Sequence, residues 1–200
     1  MDEDRVERRL AAILAADVAS YSRLIGVDEE GTLADLRAIR RGIVDPHINR
    51  HRGRIFNTSG DGLLAEFQSV IDALRCAAEW QNAMPTNSKI AWRIGIHQGD
   101  VVVEEGDVFG DGVNVAARLE GLAEAGGICV SARVQEDAAG KLDIAFEDLG
   151  EQTLKNIASG AGVPDWTRII PATRDCAPGR SACAHSVRQA ADRRVAVPKS

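Results

Sequence analysis

Histidine and cysteine are scarce in this chain, four of each among 200 residues. The cysteines, Cys76, Cys129, Cys176 and Cys183, are scattered without a Cys-x-x-Cys pair, so neither a structural zinc site nor a disulfide framework is supported. Apolar runs fall far short of the roughly 20 residues of a membrane span, and the charged segment 1–9 carries no secretory apolar region. A soluble, cytoplasmic protein with no membrane span is expected. Positive charge is also short. The 24 Lys and Arg against 30 Asp and Glu give a formal charge of −6, which argues against a general nucleic-acid partner. Residues 172–200 run the other way, with six basic residues against two acidic ones.

What is present suits one buried core. At 44% hydrophobic content the chain supports a single folded unit over 10–170, preceded by the charged segment 1–9 and followed by a basic tail, 171–200, whose lack of periodicity predicts disorder. The apolar run Leu10–Ala16 predicts a buried strand with Asp17 at its exit. A helix is expected from Asp28 to Asn49, on Leu33, Leu36, Ile39, Ile43 and Val44. Arg54–Thr58 and Leu63–Phe67 read as a hairpin closed at Gly60-Asp61-Gly62, and residues 69–83 as a second helix on Val70, Ala73, Leu74, Ala77 and Trp80.

Strict alternation over Ile90–Ile96 predicts the next strand, with a turn at Gly99-Asp100 and a return along Val101–Val103. A helix over 111–124 and a strand at Ile128–Val130 extend the pattern. A final pairing of Leu149–Glu151 and Leu154–Ile157 with Trp166–Ile170 is expected. The order β-α-β-β-α-β predicts an α+β, ferredoxin-like core with an extended antiparallel sheet, helices on one face, and strand and hairpin tips accessible at one end.

Four residues stand out chemically. Asp17 and Asp61 fall at neighbouring tips of that arrangement. Close carboxylates repel unless a cation lies between them, and oxygen ligands with few histidines favour Mg²⁺ or Mn²⁺ over zinc. On the helix Gly112–Glu120 apolar residues nearly encircle the axis, yet Asn114 and Arg118 sit four apart on one side. Burying an amide and a guanidinium without partners is costly, so an anionic group is expected opposite them. His97, on the alternating strand, reads as a packing residue.

Four segments carry a resemblance: Ile13–Ser22, Gly53–Gly62, Arg93–Asp100 and Asp107–Leu119. In order and spacing they resemble the class III adenylate/guanylate cyclase catalytic domain, over about residues 10–157. That resemblance implies conversion of ATP to cyclic AMP and pyrophosphate, with Asp17, Asp61 and the Val18 carbonyl binding two divalent cations, Mg²⁺ or Mn²⁺. It implies that Asn114 orients the ribose, that Arg118 stabilises the transition-state phosphate, that Asp107 contacts the purine and that Lys155 binds the triphosphate. It further implies a homodimer, because the family's sites take their metals from one domain and the Asn/Arg helix from another.

One position departs from the pattern. Where ATP-specific members of the family carry lysine, four residues before the second metal aspartate, this chain has Asn57, an amide that both donates and accepts. Purine choice then falls to Asp107. The alternatives to an adenylate cyclase are a weakly active nucleotide-binding or regulatory module and, behind it, a guanylate cyclase.

Overall fold

The computed structural model describes residues 7–104, 107–142, 144–148 and 166–170. At its centre lies β1 (Glu7–Val18), which begins earlier than Leu10 and carries Asp17 as its next-to-last residue. The run of Ala11, Ala12, Ile13, Leu14, Ala15 and Ala16 is buried throughout because this strand is covered on both faces.

A short helix that the sequence pattern did not announce, α1 (Tyr21–Val27), follows the strand. Then comes α2 (Glu29–Ile39), capped by Asp28, whose side chain accepts a hydrogen bond from the Gly31 amide at 2.9 Å. It runs through a π-helical turn at Arg40–Val44 into α3 (Asp45–Arg50). Pro46 sits just after that turn. Its ring cannot donate an amide hydrogen bond to the preceding turn, and the wider π geometry accommodates it without ending the helix.

The hairpin β2 (Arg54–Ser59) and β3 (Gly62–Phe67) and the helix α4 (Val70–Ala83) fall where expected. So does the strand after them, but not the turn inside it. β4 (Trp92–Glu104) is one continuous strand of 13 residues, paired with β1 from Val18↔Trp92 to Glu7↔Val103. Gly99 and Asp100 continue the ladder because β1 is long enough to hold them; the reversal comes later, where β5 (Asp107–Phe109) folds back on β4.

Beyond lie α5 (Asp111–Leu122), β6 (Ile128–Ser131), a second unannounced helix α6 (Ala132–Ala138), β7 (Ala145–Asp148) and β8 (Trp166–Ile170). The sheet runs β2-β3-β1-β4-β6-β8-β7, with β5 beside β4. Its first four strands have the split βαβ order expected of the ferredoxin-like core. The partner of β8 on its outer side is β7 rather than 149–157, and the expected strands there, like Lys155 and the tail 171–200, lie outside the described residues.

Helices occupy both faces, not one. The larger core joins Leu14, Ala16 and Val18 of β1 with Ile94, Ile96 and Trp92 of β4 beneath α2, α3, α4 and α6. Alternate residues point the other way: Ala11, Ile13 and Ala15 pack under Ala116 of α5, with Val101 and Val108. The approach is close. A Cβ on Gly95 would stand 2.2 Å from the Glu120 amide nitrogen and 2.3 Å from the Ala116 carbonyl oxygen, so only glycine lets α5 lie against β4 there.

Candidate active site

Asp17, on the α5 face of β1, meets the tip of the β2–β3 hairpin. Gly60 and Asp61 form a two-residue turn in which Gly60 takes φ +58°, a left-handed conformation that glycine adopts without strain. Gly62 then presses against β1. A Cβ there would lie 3.4 Å from the Ala16 carbonyl oxygen and 3.7 Å from Asp17 Oδ1. The two carboxyl groups come within hydrogen-bonding reach of each other.

The electrostatic consequence is large. Asp61 is pushed up to about 6, first by burial and then by the hydrogen bond and charge of Asp17, while a backbone hydrogen bond and Arg93 pull the other way. Arg93, directly across the ladder from Asp17, places Nη2 2.7 Å from Asp17 Oδ2 and 3.0 Å from Glu120 Oε1. Glu120 is pushed up to about 7, chiefly by burial and further by Asp17 and Asp61, despite the neighbouring guanidinium. One fixed cation thus faces three carboxyl groups.

Beside this cluster is a cleft of about 190 Å³ whose lining includes Asp17, Asn57, Ser59, Leu64, Ala117 and Glu120. Asn57 reaches it through a β-bulge. The β2–β3 register slips between Ile55 and Asn57, so Phe56 is the extra residue and Asn57 stands opposite Leu64, on the α5 face.

Asn114 and Arg118 lie elsewhere than the encircling apolar pattern suggested. α5 buries a single stripe, Gly112, Ala116 and Leu119, and both polar residues are exposed on its outer side. No ion pair among the described residues holds Arg118. Among the described residues, then, the pair shows no anionic partner within the same chain. Asp107 is likewise exposed, at the start of β5 opposite Glu104. Val18 is buried, and its apolar side chain carries no ligand atom, so only its carbonyl oxygen could contact a metal. His97 is a packing residue, its Nδ1 2.9 Å from the hydroxyl of buried Ser131.

Sequence reasoning passed over Arg93 and Glu120. The signal for Arg93 was there: a charge between Trp92 and Ile94, on the face that Asp17 shares once β1 and β4 are paired. Glu120 had no comparable signal, because its nearness to Asp17 depends on α5 covering the second face.

The model of the adenylate and guanylate cyclase catalytic domain family matches residues 60–165. This chain belongs to that family. The cyclase domain is 43% identical over 174 residues to "Putative adenylate cyclase 3" of Rhizobium meliloti, covering 84% of this chain but 30% of that protein. The matched stretch thus spans less than a third of that relative's length. A crystal structure of an adenylate/guanylate cyclase/hydrolase from Silicibacter pomeroyi superposes with a TM-score of 0.76 at 46% identity, covering 84% of this chain and 99% of the other. The adenylyl cyclase CyaB from P. aeruginosa shares the cyclase fold, with a TM-score of 0.70 at 17% identity over 86% of this chain and all of that one.

Proposed function

We propose that this cyclase domain converts ATP into 3′,5′-cyclic AMP and pyrophosphate, at two equivalent sites shared across a C₂ homodimer. The observation that carries this reading is the meeting of Asp17 with Asp61 at the hairpin tip, where Gly62 packs against β1 and two partly buried carboxyl groups come within reach of each other. A divalent cation relieves that conflict. Among the described residues no group of three or more His, Cys, Asp or Glu is arranged to hold a metal. Two carboxylates with water and substrate phosphates completing the shell suit Mg²⁺ or Mn²⁺ rather than zinc. Asp17, Asp61 and the Val18 carbonyl would hold two such ions, which, when bound, activate the ribose 3′-hydroxyl and neutralise the triphosphate.

The chain's own groups do the rest. The ribose 3′-oxygen forms its bond to the α-phosphorus as the α–β phosphoanhydride bond breaks; pyrophosphate leaves with the electron pair and the hydroxyl proton passes to solvent. Arg118, exposed and without an ion-pair partner among the described residues, is available to the α-phosphoryl oxygens of a nucleotide held by the second copy. Asn114, four residues earlier on the same side of α5, orients the ribose. Asp107 accepts from the adenine 6-amino group and meets the guanine 6-oxo group acceptor to acceptor, which favours ATP. Asn57 donates to adenine N1, and Lys155 contacts the triphosphate.

Incubating the purified chain with Mn²⁺ and ATP, then GTP, tests this directly. Cyclic AMP and pyrophosphate should form in equal amounts, with GTP the poorer substrate. Absence of both products at every protein concentration would overturn the enzymatic reading. It would instead favour the weakly active nucleotide-binding module to which Asn57, in place of lysine, points.

A further inference from the structure

We propose that Arg93 and Glu120 form a counter-ion exchange pair: Arg93 occupies the cation's place on Asp17 while the site is ion-free, and Glu120 receives its guanidinium when a divalent cation binds. The proposal deepens the metal reading and rests on Asp17 and Asp61 holding a cation.

Three observations carry it. Arg93 Nη2 is shared between Asp17 Oδ2 at 2.7 Å and Glu120 Oε1 at 3.0 Å, so a second carboxylate already stands where the guanidinium would go. The contact with Glu120 is incomplete. Arg93 Nε and Glu120 Oε1 are both buried without a hydrogen-bond partner, although a guanidinium and a carboxylate can form two parallel hydrogen bonds when aligned. Both backbones are also held in place. Arg93 lies in the β1–β4 ladder, and the fit of Gly95 beneath Ala116 and Glu120 pins the C-terminal half of α5 to the same strand. Side-chain rotation alone completes the exchange.

The direction follows from charge. A divalent cation at Asp17 repels a guanidinium on the same carboxylate and withdraws the attraction that Asp17 offered it. Of the acids that face Arg93, Asp17 and Asp61 are then committed to the cation, and Glu120 remains. Glu120 is thus a positioning residue: it lowers the cost of clearing Asp17. It also gives a role to an acid that stands partly buried beside two others, an arrangement that burial and like charge both oppose.

The test is a double-mutant cycle on Mn²⁺ affinity, read by electron paramagnetic resonance of free Mn²⁺ with the full chain. Arg93→Gln removes the competing cation and should tighten binding, by up to roughly tenfold for a partly screened pair. Glu120→Gln should weaken binding several-fold in the wild-type background and by less than about twofold beside Arg93→Gln, because Glu120 acts through Arg93. Equal losses in both backgrounds would mean that Glu120 contributes only its charge and would overturn the exchange, as would unchanged or weaker binding by Arg93→Gln.

A chain whose Mn²⁺ binding is absent, or survives Asp17→Ala, would overturn the metal reading itself and the exchange with it. Should Arg93→Gln not fold, the guanidinium ¹⁵N resonances of Arg93 in the unsubstituted chain give the answer. They should move on saturation with Mg²⁺, and no movement would overturn the exchange.

Discussion

The two faces of the sheet are built from the same strands and solve different problems. On the face under α2, α3, α4 and α6, large side chains exclude water: Trp80, Trp92, Leu14, Ile94 and Ile96 are all fully buried, and the two indoles meet edge to face at 5.1 Å. Under α5 the core is smaller, and small residues stand at the points of closest approach. Ala11, Ala15, Gly95 and Ala116 let the helix come close enough to leave Asp17, Arg93 and Glu120 only partly hydrated. The first face holds the fold together, while the second spends some of that stability on carboxyl groups pushed up to about 6 and about 7.

Substitutions should separate the faces. Trp80→Ala opens a cavity in the larger core and should cost about 3–5 kcal/mol, measured by denaturant unfolding. Arg118→Ala, on the exposed side of α5, should leave the unfolding midpoint within experimental scatter but lower kcat by about 10²–10³. Equal effects of both on stability would erase the contrast. Gly95→Ala brings a methyl group against the backbone of α5 and should cost about 1–3 kcal/mol while also weakening Mn²⁺ binding, since α5 carries Glu120. A Gly95→Ala chain with unchanged metal affinity would detach the helix's fit from the site's chemistry.

The smallest effect is a pH dependence. Asp61 and Glu120 hold their protons more tightly in the folded chain than at their ordinary values of 3.8 and 4.5. Their contribution to stability is therefore full below about pH 4 and lost as pH rises through about 6 and about 7. Without divalent cations the melting temperature should fall across that window, and saturating Mg²⁺ should flatten the slope. A melting temperature that rises there would reverse the assigned charge balance.

Much of this was legible in the sequence because it depends on local pattern. The Gly60-Asp61-Gly62 turn, the apolar spacing of α4 and the alternation about Trp92–Ile96 each specify their element from a few neighbouring residues. What escaped depends on distant partners. Gly99 and Asp100 read as a turn, yet the length of β1 keeps them in a strand. Asn114 and Arg118 read as buried, yet α5 covers the second face with one stripe and leaves them outside. Arg93 and Glu120 become neighbours of Asp17 only when both the register and the helix's close approach are known.

That exposed position of Asn114 and Arg118, with no ion pair to the acidic cluster among the described residues, makes the proposed second copy central. Asp17→Ala and Arg118→Ala chains, assayed separately and then mixed, measure the sharing of sites most directly. Each alone should be at background, and an equal mixture should recover roughly a quarter of wild-type activity, since half the random dimers carry one intact site of two. No recovery at any ratio, with dimers present, would contradict a site built from both copies.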